Sequence, residues 1–213
     1  MAKVRVDRKV LGMMSTNCYF VQNVDTGEAL IVDPADNAKS IIDFIEKNKL
    51  IPKAVLLTHG HFDHIMAARE VCDRFLIKCY CYCDEKEVAA NADMNLSTSF
   101  TGAFTLNVDE TFKDNEQTEM AGMSIRVLHT PGHTRGSCCY YIPDSGILLS
   151  GDTIFRESVG RTDFPTGSSG QIIESIRTRI FTLGDEVIIY PGHGDETSVG
   201  FEKVNNCVVP YIN

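Results

Sequence analysis

Thr58-His59-Gly60-His61-Phe62-Asp63-His64 follows the apolar run Ala54-Val55-Leu56-Leu57 and holds three of the chain's six histidines beside a carboxylate. The apolar run reads as a buried strand, so the cluster sits where a strand ends. Imidazole and carboxylate in the order H-x-H-x-D-H, with no thiolate among them, suit borderline divalent metals such as zinc, manganese and iron. A lone histidine is more often a satisfied core or surface residue than a ligand, but the other histidines repeat the pattern. His133 stands in Thr130-Pro131-Gly132-His133-Thr134, after the strand candidate Ser124 to Leu128. His193 stands in Tyr190-Pro191-Gly192-His193-Gly194, after Val187-Ile188-Ile189, and Asp152 follows Gly146-Ile147-Leu148-Leu149-Ser150-Gly151. Four strands thus end in loops bearing His or Asp, which is how a rigid sheet holds ligands drawn from distant sequence. The sequence predicts a metal site.

The 213 residues suit one domain spanning residues 1–213. A net charge of -9 and the lack of any basic run argue against a nucleic-acid partner. No apolar stretch is long enough for a membrane span, and Met1 to Val10 alternates charge with valine where a signal peptide would be apolar, so the expected location is cytoplasmic. The expected partner is a small-molecule substrate, with the chain a monomer or homodimer. Reduced thiols are then the default for the eight cysteines. Cys79, Cys81 and Cys83 alternate and would share one strand face. A thiolate metal site there would need a fourth ligand from elsewhere, and small residues packed under a helix is the preferred reading. Cys138 and Cys139 should point to opposite faces of a strand.

Val4 to Val10, Asn17 to Val24 and Ala29 to Val32 read as successive antiparallel strands. Asp33-Pro34-Ala35-Asp36 opens a helix with Ile41, Ile42, Ile45 and Leu50 on its apolar face, stopped by Pro52. A second helix runs from Ile65 to Phe75, placing Asp63 and His64 near its N-terminus. The cysteine strand and a short helix from Asp84 to Asn91 follow. Residues 92–107 lose all periodicity and read as either a surface connection or a lid. Strands near Thr111, at Ser124 to Leu128, at Ser137 to Ile142 and at Gly146 to Leu149 come next, then an amphipathic helix from Ser168 to Phe181. Val187 to Tyr190 is the last strand and Val199 to Cys207 a closing helix.

Taken together, H-x-H-x-D-H, the two Pro-Gly-His pieces and the Gly-Asp after an apolar strand resemble the metallo-β-lactamase fold across nearly the whole chain. Leu128 to Thr134 with Gly151-Asp152-Thr153-Ile154-Phe155 resembles the glyoxalase II group, hydroxyacylglutathione hydrolases that cleave thioesters. Val159-Gly160-Arg161-Thr162-Asp163-Phe164-Pro165 is similar to short, single-domain glyoxalase II-like proteins and also to persulfide dioxygenases. The resemblance implies an α/β fold, a four-layer αββα sandwich with the site at one edge. It also implies two divalent metal ions, zinc foremost with iron or manganese as alternatives. His59, His61 and His133 would hold one ion, Asp63, His64 and His193 the other, and Asp152 would bridge them. True β-lactamases of this fold generally lack that aspartate. His129 matches a position that is not usually a direct ligand; it either supports a ligand or is a loop histidine held by a backbone hydrogen bond.

The implied reaction is attack of a metal-bridging hydroxide on a thioester or ester carbonyl, with Asp63 ligating one metal and orienting the nucleophile. A thiolate leaves without a dedicated acid. Arg161, near Arg156, is the candidate substrate contact; its alternative role is to fix its loop by pairing with Asp163 or Glu157. Glyoxalase II enzymes carry a C-terminal helical region that helps bind glutathione, whereas this chain ends about twenty residues after His193, so modest affinity for glutathione is expected. A mononuclear-iron persulfide dioxygenase is the alternative; a lactonase and a non-catalytic member of the fold rank below it.

Overall fold

In the computed structural model, residues 2–212 are described and form two six-stranded sheets. Strands β1 (Val4–Leu11), β2 (Thr16–Asn23), β3 (Glu28–Val32), β4 (Ile51–Leu56), β5 (Lys78–Tyr82) and β6 (Glu110–Phe112) follow one another in space as in sequence. The first three are antiparallel, and β3 to β6 are parallel. The second sheet takes β7 (Gln117–Met120), β8 (Met123–His129), β9 (Cys138–Ile142) and β10 (Ile147–Gly151). A small hairpin, β11 (Ile154–Phe155) with β12 (Ser158–Val159), interrupts before β13 (Ile188–Pro191) and β14 (Thr197–Ser198) complete that sheet in the order β14-β13-β10-β9-β8-β7.

Alternation along the strands sorts apolar side chains into three cores, which is what four layers require. Tyr19, Val21, Leu30, Val32 and Leu56 face Val127, Cys138, Tyr140 and Leu149 between the sheets. Their neighbours Phe20, Ile31, Val55, Cys79 and Cys81 face outward against α1 (Ala38–Lys47) and the helical segment containing Val71 and Cys72. On the far side, Leu128, Cys139, Leu148 and Ile189 pack on Ile172, Ile176 and Ile180. Strands buried on both faces must be apolar at consecutive positions, hence the short continuous runs in the sequence. The fold is the expected layered α/β sandwich. Cys138 and Cys139 do take opposite faces, and Cys79 and Cys81 lie under a helix, but Cys83 falls beyond the end of β5 in a 3-10 turn and is exposed.

Several boundaries differ from expectation. α1 ends at its C-cap Asn48, and Pro52 lies inside β4 beside the irregularity where β3 and β4 shift register, a place that tolerates a missing N–H. The helix expected from Ile65 to Phe75 is two, α2 (Phe62–Ile65) and α3 (Ala68–Phe75). They part because the Ala67 N–H leaves the helical ladder to donate to the Pro34 carbonyl at 3.0 Å. After α4 (Lys86–Ala89), residues 92–107 include one more short helix, α5 (Ser97–Phe100). That segment is held by the Asn95 side chain, which donates to the carbonyls of Ala89 and Phe104. α6 (Ser169–Ser175) starts where the Ser168 hydroxyl caps Gln171, continues as a π-helical stretch to Ile180, and α7 (Val199–Asn205) closes the chain as expected. Among the described residues no helix is long and apolar enough to cross a membrane.

The sheets are joined just behind the histidine cluster. The Tyr140 hydroxyl, fully buried, donates to the Leu57 carbonyl at 2.8 Å, and the Cys138 N–H donates to the Thr58 carbonyl at 2.9 Å. Both bonds cross the sandwich, so the segment that turns into His59 is held from each sheet.

Candidate metal centre

β4, β8, β10 and β13 all end at one edge of the sandwich, and the loops after them bring His59, His61, His133, Asp152 and His193 together; α2 adds Asp63 and His64. Three groups have ligand atoms within 4.8 Å of one another: His59 with His61 and His133, Asp63 with His64 and His193, and Asp33 with His59 and His64, of which the first two face Asp152. Asp152 lies between them. Its Oδ1 is 3.4 Å from His64 Nε2, and its Oδ2 is 3.6 Å from His133 Nε2 and 3.5 Å from His193 Nε2. Asp63 Oδ2 is 3.5 Å from His64 Nε2 and 3.4 Å from His193 Nε2.

These distances are too long for good hydrogen bonds. They match donors arranged around shared cations, since two atoms each about 2.1 Å from one tetrahedral ion lie roughly 3.4 Å apart. His59 Nε2, His61 Nε2, His64 Nε2 and Asp152 Oδ1 are buried with no hydrogen-bond partner among the described residues. Leaving a buried polar atom unpaired costs about 1–3 kcal/mol, so orphaned atoms on four residues of one cluster, with His61 Nδ1 only 2.8 Å from His133 Nε2, mark a place built for something else to bind. The donor set, imidazole and carboxylate with no sulfur, fits divalent metal ions.

Charge points the same way. Burial would raise the Asp152 carboxyl, but His64, His193 and His133 override it and hold it down at about 2. Asp63 is likewise held well below the carboxylate range against its burial, by His64, His193 and Thr16. Burial disfavours charge on His64 and His193, yet the facing carboxylates pull them up to about 9 and about 10. Burial drives His59 far down and His61 to about 3. The carboxylates thus draw positive charge to the centre of the cluster, and neutral imidazoles complete its far side.

The sequence reading missed the residues that aim these ligands. Asp33, read there as a helix opener, is buried with φ near 49° and accepts from His64 Nδ1 at 2.9 Å and from the Thr58 N–H and hydroxyl at 2.8 and 2.6 Å. Asp33 could also be grouped with His59 and His64 as a ligand, but its oxygens are taken by these bonds, so it serves to orient His64. Glu85, fully buried, accepts from the Gly60 N–H at 2.7 Å and the Thr134 hydroxyl at 2.8 Å, tying the loop of His59 and His61 to the loop of His133. The Thr16 hydroxyl donates to Asp63 Oδ2 at 2.7 Å, and the Asn17 N–H and side chain hold Gly192, Pro191 and Gly194 around His193. Asp33 carried a readable signal, an acid after an apolar strand; Glu85 carried none. Close approach explains Gly192 and Gly160: a Cβ there would lie 2.1 Å from Asp152 Oδ1 or 1.9 Å from the Asp152 carbonyl oxygen.

His129 is not part of the cluster. It stacks on Tyr82 at 4.1 Å, and its Nε2 pairs with the Arg135 carbonyl at 2.9 Å, the loop role held open for it. Among the described residues no thiol joins a metal-binding group. A cleft of about 480 Å³ opens over the cluster, and Arg161 lines it. The guanidinium is paired with both Asp163 oxygens at 2.9 and 2.7 Å, while the Arg161 carbonyl accepts from His133 Nδ1 at 2.7 Å. Residues 92–107 supply Leu96 and Phe100 to one wall of the cleft.

The profile of the Metallo-beta-lactamase superfamily matches residues 11–193. The chain is 33% identical to the hydroxyacylglutathione hydrolase GloC of Haemophilus influenzae, with 92% of each chain covered. Among solved structures it is similar to BLEG-1, titled a B3 metallo-beta-lactamase (TM-score 0.92, 34% identity, 98% of this chain and 100% of that one). It is also similar to TTHA1623 in a di-iron-bound form (TM-score 0.83, 29% identity, 94% and 98%).

Proposed function

Since the chain belongs to the metallo-beta-lactamase superfamily of metal-dependent hydrolases, we propose that it is a dinuclear enzyme that hydrolyses thioesters. The observation that carries this is Asp152, whose two oxygens reach histidines of both ligand groups. His59, His61 and His133 would hold one ion, and Asp63, His64 and His193 the other, with Asp152 shared. Bound there, two divalent cations, zinc ahead of iron or manganese, supply Lewis acidity for a carbonyl oxygen and acidify a water whose bulk pKa is about 15.7.

The chain's own groups do the rest. Thr16 fixes the Asp63 carboxylate at the cleft floor, where it is placed to orient the attacking water, whose proton passes to solvent through the open cleft. Asp33 and the Arg161 carbonyl each hold the Nδ1–H of a histidine, so the Nε2 atoms of His64 and His133 face the cluster. Phe164 stands edge-on to His61 at 5.7 Å and Phe155 to His193 at 6.0 Å, limiting water at the floor. Water adds its oxygen to the acyl carbon and the C–S bond breaks. The thiolate leaves with the bonding pair and needs no protein acid.

The test is to assay one preparation, loaded in turn with zinc, manganese and iron, on S-lactoylglutathione, on glutathione persulfide with oxygen, and on a cephalosporin. Thiol release in the zinc or manganese form is expected. Oxygen consumption with the persulfide in the iron form, with no thioester cleavage by any form, would make the protein a dioxygenase. The likeness to BLEG-1 supports a lactamase as second reading, and cephalosporin turnover exceeding thioester turnover would establish it.

A further inference from the structure

The cleft over the cluster has two apolar walls. One is built of Met14 from the β1–β2 turn, Phe62 from α2, and Leu96 and Phe100 from residues 92–107; Phe62 and Phe100 stack at 5.2 Å. The other carries Phe155 and Val159 of the β11–β12 hairpin, continued by Phe164. Met13, Met14 and Phe100 are 67%, 43% and 45% exposed, so three of the large apolar side chains that this chain leaves in water stand at one rim of the cleft or beside it. Large apolar side chains grouped at a cleft mark a binding surface.

Polar recognition is sparse by comparison. Apart from the cluster residues, the described lining offers only Ser158 and Arg161. Arg161 lies 4.0 Å above the Phe164 ring and pairs with Asp163 on the exposed rim, where such a pair is weak. A glutathione conjugate brings two carboxylates, and Arg161 is the one lysine or arginine among the described lining residues to meet them. Anions stripped of water without a partner bind poorly.

We infer that the substrate is a hydrophobic thioester, with an apolar acyl group and a thiol part lacking paired carboxylates. The inference rests on the thioester reading above and narrows its substrate class. Met14, Leu96 and Phe100 grip the acyl group on one side and Phe155 and Phe164 on the other, with the carbonyl over the histidine floor.

The experiment uses N-acetylcysteamine thioesters from acetyl to octanoyl, beside S-lactoylglutathione, on the metal-loaded protein. Burying a methylene is worth about a fourfold gain, so kcat/KM should rise by up to about fourfold per added carbon until the cleft is full. In parallel, calorimetry with the non-cleavable S-hexyl and S-ethyl thioethers of N-acetylcysteamine should show the hexyl compound binding at least about tenfold tighter. Phe100→Ser and Met14→Ser should each flatten both trends. Cleavage with a flat series, equal thioether affinities, or S-lactoylglutathione preferred over the hexanoyl ester overturns the inference and leaves the thioester reading standing. Cleavage of no thioester overturns both.

Discussion

The Nδ1–H of His64 donates to Asp33 Oδ2 at 2.9 Å, and the same carboxylate accepts from the Thr58 N–H and hydroxyl, directly before His59. One buried acid thus sets the ring of a histidine in one ligand group and the chain path into the other. Because a carboxylate only accepts, Nδ1 carries a proton, and Nε2 is the nitrogen left to meet a bound ion in place of a second proton.

Asp33→Asn should therefore weaken metal binding without unfolding the protein. The amide has one accepting oxygen where the carboxylate has two, so an N–H₂ must face either His64 Nδ1–H or the Thr58 N–H, and asparagine tolerates the positive φ at this position. Loss of such a partner costs about ten- to a hundredfold in metal affinity. Competition with a chelator measures it, and unchanged affinity would show that Thr58 and packing alone orient the ring.

Asp152→Ala removes the group that reaches both ligand sets. Turnover should fall by at least about a hundredfold, with circular dichroism unchanged because Asp152 lies at the sandwich edge and not in its cores. Full turnover with full metal content would show that the two sites do not depend on a shared carboxylate.

Glu85 predicts a pH dependence. Burial raises its carboxyl to about 7 despite hydrogen bonds from Gly60, Thr134 and Gly136. With the folded pKa above the unfolded value of about 4.3, its stabilisation is complete below about pH 4.3 and is lost as pH rises through about 7. Glu85→Gln cannot titrate. The urea-unfolding advantage of the wild type over this variant should shrink between about pH 5 and about pH 8, by at most about 1.4 kcal/mol per pH unit. Titrations of the histidine cluster are common to both proteins and cancel. A difference that stays constant or grows with pH would contradict the raised value.

The ligand-bearing strands were legible because strands buried on both faces leave short apolar runs, and each run here stops at a His or Asp. β7 was not: Gln117–Met120 is a polar edge strand whose exposure alternates, and only the positive φ angles of Ala121 and Gly122 turn it back onto β8. The split between α2 and α3 was hidden because it depends on a carbonyl at Pro34, far away in sequence. Asp33 was misread because Pro34 after it suggested a helix start, whereas the cap is Asn37. Glu85 lies 25 residues from Gly60 and 49 from Thr134, and nothing local marks a side chain whose partners are set by the packing of two sheets.

Two ligand groups that share Asp152 call for two metal ions per chain. After mild purification and saturation with zinc, elemental analysis of the wild type should approach two ions per chain, and His193→Ala, which removes a donor from only one group, should approach one. A wild-type value that stays near one ion per chain under metal-replete conditions would rule out the dinuclear centre.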